Sequence, residues 1–341
     1  MACALRCPRR YWYDNILGLK EANPSEALRI GTAVHNGGEA RAKGLDFGAQ
    51  YAAALTGGTL DEWMAAKVFG ILGAYDRTYG EIEDRDCSAM EPEVEFTDPI
   101  DGSRTFEQRG KVDGLAVLKD GRRVVWERKT TSDDVGETSD YWNRLKFNIQ
   151  LLAYAGWVYH ATGELPVCVY DVIRKPQLQP KANIPDLDAD GLLIVLDANG
   201  NRCIKRDGQP KKTADSAKGE RMAGHPETPD EYGSRILDAM GAEAERYFAR
   251  REVAITLDML DEFRRERLGV CRMLLHFAAE ARKSERPEYA YPRACNPDNC
   301  RSCPFAGMCL NRIHVDEANV PEGFRIAKHE ELSQPQGAAC E

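Results

Sequence analysis

The sequence predicts an α/β fold with a mixed central sheet flanked by helices. Apolar residues fall at helical spacing over 60–80 and again over 140–163. Three strand-like segments lie between these stretches, and a fourth follows the second at once. Helix, strands, helix and strand in one stretch form a layered sheet rather than a bundle.

In chain order, residues 4–20 and 26–44 read as helices, and 60–80 as a third. Strands are expected at 91–97, 105–118 and 123–130, a long helix at 140–163 and a strand at 166–173. Residues 175–230 are rich in Pro, Lys, Asp and Gly and read as an irregular, mobile insertion. Two further helices, about 229–250 and 257–284, lead into a cysteine-rich segment at 295–309. Residues after about 316 read as a loosely held tail. No internal repeat is evident. The whole reads as one domain over 1–315 with its core at about 90–174.

The 341 residues carry 46 basic and 55 acidic side chains, a formal charge of −9. That balance excludes a surface coated in phosphate-binding groups, although local patches can still bind nucleic acid. Such patches occur at Arg174, Lys175 and Lys181, at Lys205 and Arg206, and at Lys211 and Lys212; solvated loop charge is the alternative reading. No apolar run reaches the roughly 18 residues of a membrane span. The first residues, MACALRCPRRYWY, have no apolar signal core, so an intracellular, cytoplasmic protein is expected. Six of eleven cysteines (Cys3, Cys7, Cys295, Cys300, Cys303 and Cys309) lie near the two ends. An odd total in an intracellular chain speaks against a disulfide framework and for metal binding.

The most informative segment is Gly110-Lys111-Val112-Asp113-Gly114 followed by Glu127-Arg128-Lys129-Thr130. Lys119-Asp120-Gly121 between them suits a three-residue hairpin loop with Gly left-handed. In that register Leu118 faces Arg122, Asp113 lies opposite Glu127, and strand period places Lys129 on the same face. Two adjacent carboxylates favour a hard cation such as Mg²⁺ or Mn²⁺ between them, and a nearby ammonium can stabilise a departing charge. The plain alternative is a solvated strand face with Glu–Lys pairs. Gln150 and Tyr154 stand at i, i+4 on one helix face, as do His35 and Glu39. A capping or surface amide and a structural histidine are the ordinary readings of Gln150 and His35. Gly37 and Gly38 each cost up to about 1 kcal/mol inside a helix, which points to close backbone approach or a kink.

Taken together, Gly31-Thr32-Ala33-Val34-His35, Gly110-Lys111-Val112-Asp113, Glu127-Arg128-Lys129 and Gln150-Leu151-Leu152-Ala153-Tyr154 resemble the RecB-like branch of the PD-(D/E)xK nuclease superfamily. The resemblance implies a restriction-endonuclease-like core and a metal-dependent DNA exonuclease of recombination, repair or phage DNA processing. It implies Mg²⁺ or Mn²⁺ ligation by His35, Asp113, Glu127 and the backbone carbonyl of Arg128. Lys129 would be the catalytic lysine, and Gln150 and Tyr154 would line the site. One departure is Glu127, where many relatives carry Asp. Val172-Ile173-Arg174-Lys175-Pro176 is also similar to single-chain phage or prophage nucleases. The implied partner is DNA, end-bearing or single-stranded, with a helicase or single-strand annealing protein working beside it. A non-catalytic nucleic-acid-binding or scaffold protein that retains the fold is the alternative.

Cys300-x2-Cys303-x5-Cys309 is the second signal, with the spacing of zinc or iron–sulfur ligands. For zinc, Cys295 is the nearby fourth ligand, and a zinc-stapled regulatory protein is a third reading. The resemblance favours a 4Fe–4S cluster, since iron–sulfur members of this branch, helicase–nuclease subunits and CRISPR-associated nucleases among them, join an N-terminal Cys to such a triplet. Carried over, Cys7 joins Cys300, Cys303 and Cys309, with Cys3 and Cys295 as substitutes. Such a cluster would tie the two ends of the domain and act mainly in structure. Cys87, Cys168, Cys203, Cys271 and Cys340 are read as core or surface thiols.

Overall fold

The computed structural model describes residues 2–56, 59–80, 87–145 and 148–327. The chain opens with α1 (Ala2–Arg6), α2 (Pro8–Tyr11), a π-helical turn (Trp12–Ile16) and strand β1 (Leu19–Glu21). Helices α3 (Glu26–Ala42), α4 (Phe47–Thr56) and α5 (Glu62–Tyr79) follow. Next come β2 (Cys87–Pro99), β3 (Glu107–Leu118), β4 (Arg123–Thr131), α6 (Asp140–Leu145), α7 (Ile149–Thr162) and β5 (Val167–Arg174). The insertion carries β6 (Ile184–Pro185), β7 (Val195–Leu196), β8 (Arg221–Met222) and β9 (Gly224–His225). After it stand α8 (Pro229–Ala242), α9 (Ala244–Tyr247), β10 (Phe248–Val253), α10 (Leu257–Ala281), α11 (Pro297–Arg301), α12 (Ala306–Leu310) and β11 (Phe324–Ile326).

Local signals place the framing helices. Ser25, Asp61, Asn148 and Thr256 cap α3, α5, α7 and α10 through their side-chain oxygens. Thr228 and Glu231 close a reciprocal capping box on α8, with Pro229 at its first position. Gly163, left-handed at φ 74°, ends α7.

The central sheet is mixed, in the order β10-β5-β4-β3-β2. β4 and β5 run parallel, and the other neighbours are antiparallel. Helices cover both faces. Leu151, Tyr154 and Val158 of α7 and Leu260 and Phe263 of α10 pack against Phe96, Val112, Val125, Tyr170 and Val172. On the other side, Ile30 and Val34 of α3, Ile71 and Tyr75 of α5 and Ile236 and Met240 of α8 meet Ile173 and Phe248. A third cluster (Trp12, Tyr13, Leu19, Leu274, Tyr291, Phe305 and Met308 among its members) joins the two chain ends.

Several expectations need correcting. The first expected helix, 4–20, is split into α1, α2, a π-helical turn and β1. Residues 47–56 form a helix that was not expected, and 140–163 is two helices, with 146–147 outside the described residues. The end of the expected helix 229–250 is strand β10, because Glu243 leaves helical geometry and Phe248–Val253 pairs along β5, where sheet pairing overrides local preference. The segment after 316 is held as far as Ala327: β11 pairs with β1, and Val315 and Ala327 are buried. The rest of that tail, with Cys340, lies outside the described residues. The insertion has only two-residue strands, yet these belong to hydrogen-bonded hairpins. Among the described residues no helix is long and apolar enough to cross a membrane.

Candidate active site

The hairpin that positions the site has the expected turn and register. Leu118 donates to the Arg122 carbonyl at 2.9 Å, Gly121 donates back to Leu118 at 2.9 Å, and Gly121 has φ 89°. Gly114 to Val117 then pair with Trp126 to Arg123. The ladder stops there, so Asp113 and Glu127 lie just beyond it. Asp113 Oδ2 accepts the Arg128 backbone N–H at 2.7 Å.

Around this point six expected residues converge. Lys129 Nζ lies 2.9 Å from Glu127 Oε1 and donates to Gln150 Oε1 at 2.8 Å. Gln150 Nε2 donates to the Tyr154 hydroxyl at 2.6 Å, and that hydroxyl donates to the Lys111 carbonyl at 2.7 Å. The chain of donors fixes the Gln150 amide, so its oxygen must face Lys129. Glu127 and Lys129 are almost wholly buried. Asp113 and His35 remain partly open, with 26% and 34% of their side chains exposed, and His35 Nδ1 stands 3.7 Å from Asp113 Oδ2. Burial pushes the Asp113 carboxyl up, but His35, the Arg128 charge and the Arg128 amide outweigh it and hold it below the usual range. Tyr154 is raised by burial first, then by the charges of Glu127 and Asp113, so one phenol feels both carboxylates.

The sequence matches the family description "PD-(D/E)XK nuclease superfamily" over residues 1–310. The chain belongs to this superfamily. A solved structure, "Crystal structure of SSO0001", is similar over 70% of this chain and 84% of that one at 14% identity, with a TM-score of 0.21, too loose a likeness to add to the fold. No curated protein shows significant similarity to the chain. PD-(D/E)XK proteins are usually metal-dependent nucleases that use Mg²⁺ or Mn²⁺.

Does the PD-(D/E)XK site here suit such an ion? Two carboxylates and an imidazole, gathered beside one phenol, are a suitable donor set by chemistry. Among the described residues, however, no three His, Cys, Asp or Glu side chains are already arranged as a metal group. Glu127 turns an oxygen to Lys129, and Asp113 turns one to the Arg128 amide.

Behind β4 lies a network that the sequence did not reveal. The Arg128 guanidinium is buried beside Tyr75 and stands 3.5 Å from Asp171 Oδ2. Asp171, fully buried, accepts from the Tyr75 hydroxyl, from Trp126 Nε1 at 3.3 Å and from Arg250 Nε at 3.1 Å. Burial would raise the Asp171 carboxyl, yet Arg250 and Arg128 hold it below the usual range. The same guanidinium explains Gly38 of the glycine pair in α3, and Leu72 explains Gly37. A Cβ on Gly38 would stand 1.9 Å from Arg128 Nη1, and one on Gly37 would meet Leu72 Cδ1 at 2.6 Å. The close approach expected at Gly37-Gly38 is therefore real, and α3 carries His35 to the site across it.

A second missed residue is Glu93. It sits between Pro92 and Val94, which pair with Gly114 and Val112, and so faces Asp113 across the β2–β3 ladder. Its φ of 52° is rare for a side-chain-bearing residue. Its carboxylate meets Lys111 Nζ at 2.5 Å and approaches Glu39 of α3; burial first, then Glu39, raise it against the pull of Lys111. The i, i+4 spacing of His35 and Glu39 was the available signal for one half of this contact.

At the joined chain ends, Cys7, Cys295, Cys300, Cys303 and Cys309 line one cavity together with Arg6, Arg9, Arg10 and Arg293. None of the five is in a disulfide among the described residues. Burial raises Cys303 and Cys309, and each also feels the charge of Cys7. The ends are also joined directly: Arg9 N–H donates to the Pro292 carbonyl at 3.1 Å, and Asn299 Nδ2 to the Arg6 carbonyl at 3.1 Å.

Proposed function

We propose that the chain is a Mg²⁺- or Mn²⁺-dependent DNA nuclease of the RecB-like branch, acting as an exonuclease in DNA processing. The observation that carries this reading is the convergence of His35, Asp113, Glu127, Lys129, Gln150 and Tyr154 at the mouth of the β3–β4 hairpin. His35, Asp113 and Glu127, with the Arg128 carbonyl, would hold the divalent ion, which would supply charge neutralisation at a phosphodiester. The remaining work belongs to the chain. Asp113 stays ionised because His35 and Arg128 surround it. Lys129 is held by Glu127 and by an amide whose orientation Tyr154 enforces, so its ammonium is aimed before substrate arrives.

The reading is tested with Asp113→Asn, Glu127→Gln and Lys129→Met, assayed with Mn²⁺ on end-labelled linear DNA, closed circular DNA and RNA. Each variant is expected to lose about a hundredfold or more in cleavage. Undiminished turnover in all three would sink the nuclease assignment. Cutting of closed circles would remove the exonuclease, and cutting of RNA alone would remove DNA as substrate.

The same reading assigns a 4Fe–4S cluster to Cys7, Cys300, Cys303 and Cys309, with Cys295 as the substitute ligand. Its support is that Cys7 and the distant Cys300, Cys303 and Cys309 line one cavity, and that four arginines beside them would balance thiolate charge. Protein purified without oxygen should be brown and carry about four iron and four acid-labile sulfide per chain. Stoichiometric zinc with no sulfide would replace the cluster by a zinc knuckle.

A further inference from the structure

Residues 187–210 repeat one turn three times, although the residues differ. In each, the first N–H reaches the carbonyl four residues on, and a glycine three residues on donates back to the first carbonyl. Asp188 does this with Leu192 and Gly191, both at 2.9 Å, and Asp197 with Asn201 at 2.8 Å and Gly200 at 3.0 Å. Lys205 does it with Gln209 at 2.8 Å and Gly208 at 3.0 Å. The three glycines are left-handed at φ 75°, 84° and 80°. The flanking bridges recur too: Leu187 with Leu193, Leu196 with Arg202, and Ile204 with Pro210.

What changes is the first residue. Asp188 Oδ1 accepts two backbone N–H groups, from Asp190 and Leu192, and Asp197 Oδ1 accepts two, from Asn199 and Asn201. The third turn begins instead with Lys205-Arg206, and Asp207 alone closes on one amide, that of Gln209. The turn does not need these cations. Arg202 and Lys211 nearby are matched to Asp188 and Glu220. Lys205, Arg206 and Lys212 are exposed and have no carboxylate partner among the described residues. Ile204 beside them is 60% exposed. A chain with nine excess negative charges thus projects three unmatched positive ones from a single hairpin.

The insertion that carries this hairpin is rooted beside the candidate site. Lys175 N–H donates to the Thr131 carbonyl at 2.7 Å, two residues beyond Lys129, and Lys175 Nζ reaches Ala27 O of α3 at 3.3 Å. The neck is pinned by buried Glu227, which accepts from Arg235 Nε and Nη2 at 2.6 and 2.7 Å and from the Lys181 amide at 2.7 Å.

We propose that residues 204–212 grip the phosphodiester backbone of duplex DNA outside the catalytic residues, through Lys205, Arg206 and Lys212; the identity of the partner rests on the nuclease reading above. Such contacts are blind to sequence and release counterions, so they are read in the salt dependence of binding. The full chain and its Lys205→Gln/Arg206→Gln/Lys212→Gln variant are titrated with a labelled duplex in EDTA over a range of salt. The three side chains form no salt bridge among the described residues, so the variant should melt like the wild type. Its slope of log Kd against log salt should fall by about 2–3, at about 0.9 per lost phosphate contact. Single-turnover cleavage at saturating protein with Mn²⁺ should be unchanged. A variant slope equal to the wild-type slope would overturn the proposal, as would a wild type that binds no duplex at low salt. A changed slope in a protein that never cleaves would uphold the grip and remove the nuclease.

Discussion

The two faces of β4 hold opposite charge excesses and treat water differently. On the side of α7, Asp113 and Glu127 set two carboxylates against the single ammonium of Lys129, and Asp113 stays partly open. On the side of α5, Arg128 and Arg250 set two guanidiniums against the single carboxylate of Asp171; Asp171 and Arg128 are sealed beside Tyr75 and Trp126, and Arg250 is half-buried. An open face with negative excess can be completed by a cation from solution. A sealed face with positive excess has no such recourse, and its side chains must satisfy one another. The first arrangement suits chemistry and the second suits structure. Arg128 belongs to both, since its amide serves Asp113 while its guanidinium faces Asp171.

Asp171→Ala should break this contrast most severely. It would leave the buried Arg128 and the half-buried Arg250 without their shared carboxylate and strip an acceptor from Tyr75 and Trp126. Removing one partner of a buried charge group costs about 3–5 kcal/mol. Urea denaturation should therefore show a loss of that size, with the midpoint falling well before any effect on catalysis is considered. A loss within experimental error would mean that the sealed face is not a structural device. Lys129→Met on the α7 side likewise leaves a buried carboxylate, Glu127, without its ammonium, so a loss of stability is expected there beside the loss of cleavage.

The sequence made the open face legible because its parts are local. The Lys119-Asp120-Gly121 turn dictates the register, and strand period then carries Glu127 and Lys129 to one face. Helix spacing put Gln150 and Tyr154 on one face, and the family resemblance implied that this face lines the site. The sealed face draws Tyr75, Arg128, Asp171 and Arg250 from four separate elements, and no spacing rule links them. Gly37-Gly38 announced a close approach without naming Arg128, because that depends on how α3 sits on β4. Glu93 was hidden for a related reason: its role depends on an unusual backbone angle opposite Asp113. The threefold turn of the insertion was missed because only its glycines are identical in all three turns, at unequal intervals of nine and eight residues.

Gly38→Ala is a smaller and sharper test, because it touches Arg128 without changing any charge. In a free helix the substitution would stabilise by up to about 1 kcal/mol. Here the new methyl would stand 1.9 Å from Nη1 and 2.5 Å from Cζ of a side chain that is itself buried. Overpacking of this kind costs about 1–3 kcal/mol, so a net loss of about 1–2 kcal/mol is expected in urea denaturation. Gly269→Ala, in α10 with open space around its Cβ, isolates the helix term and should stabilise instead. If α3 relieves the clash by moving from β4, His35 moves with it and Mn²⁺ affinity falls in calorimetric titration. Equal stabilisation in both variants would show that Arg128 yields without effort, and that the sealed face does not fix the distance between His35 and Asp113.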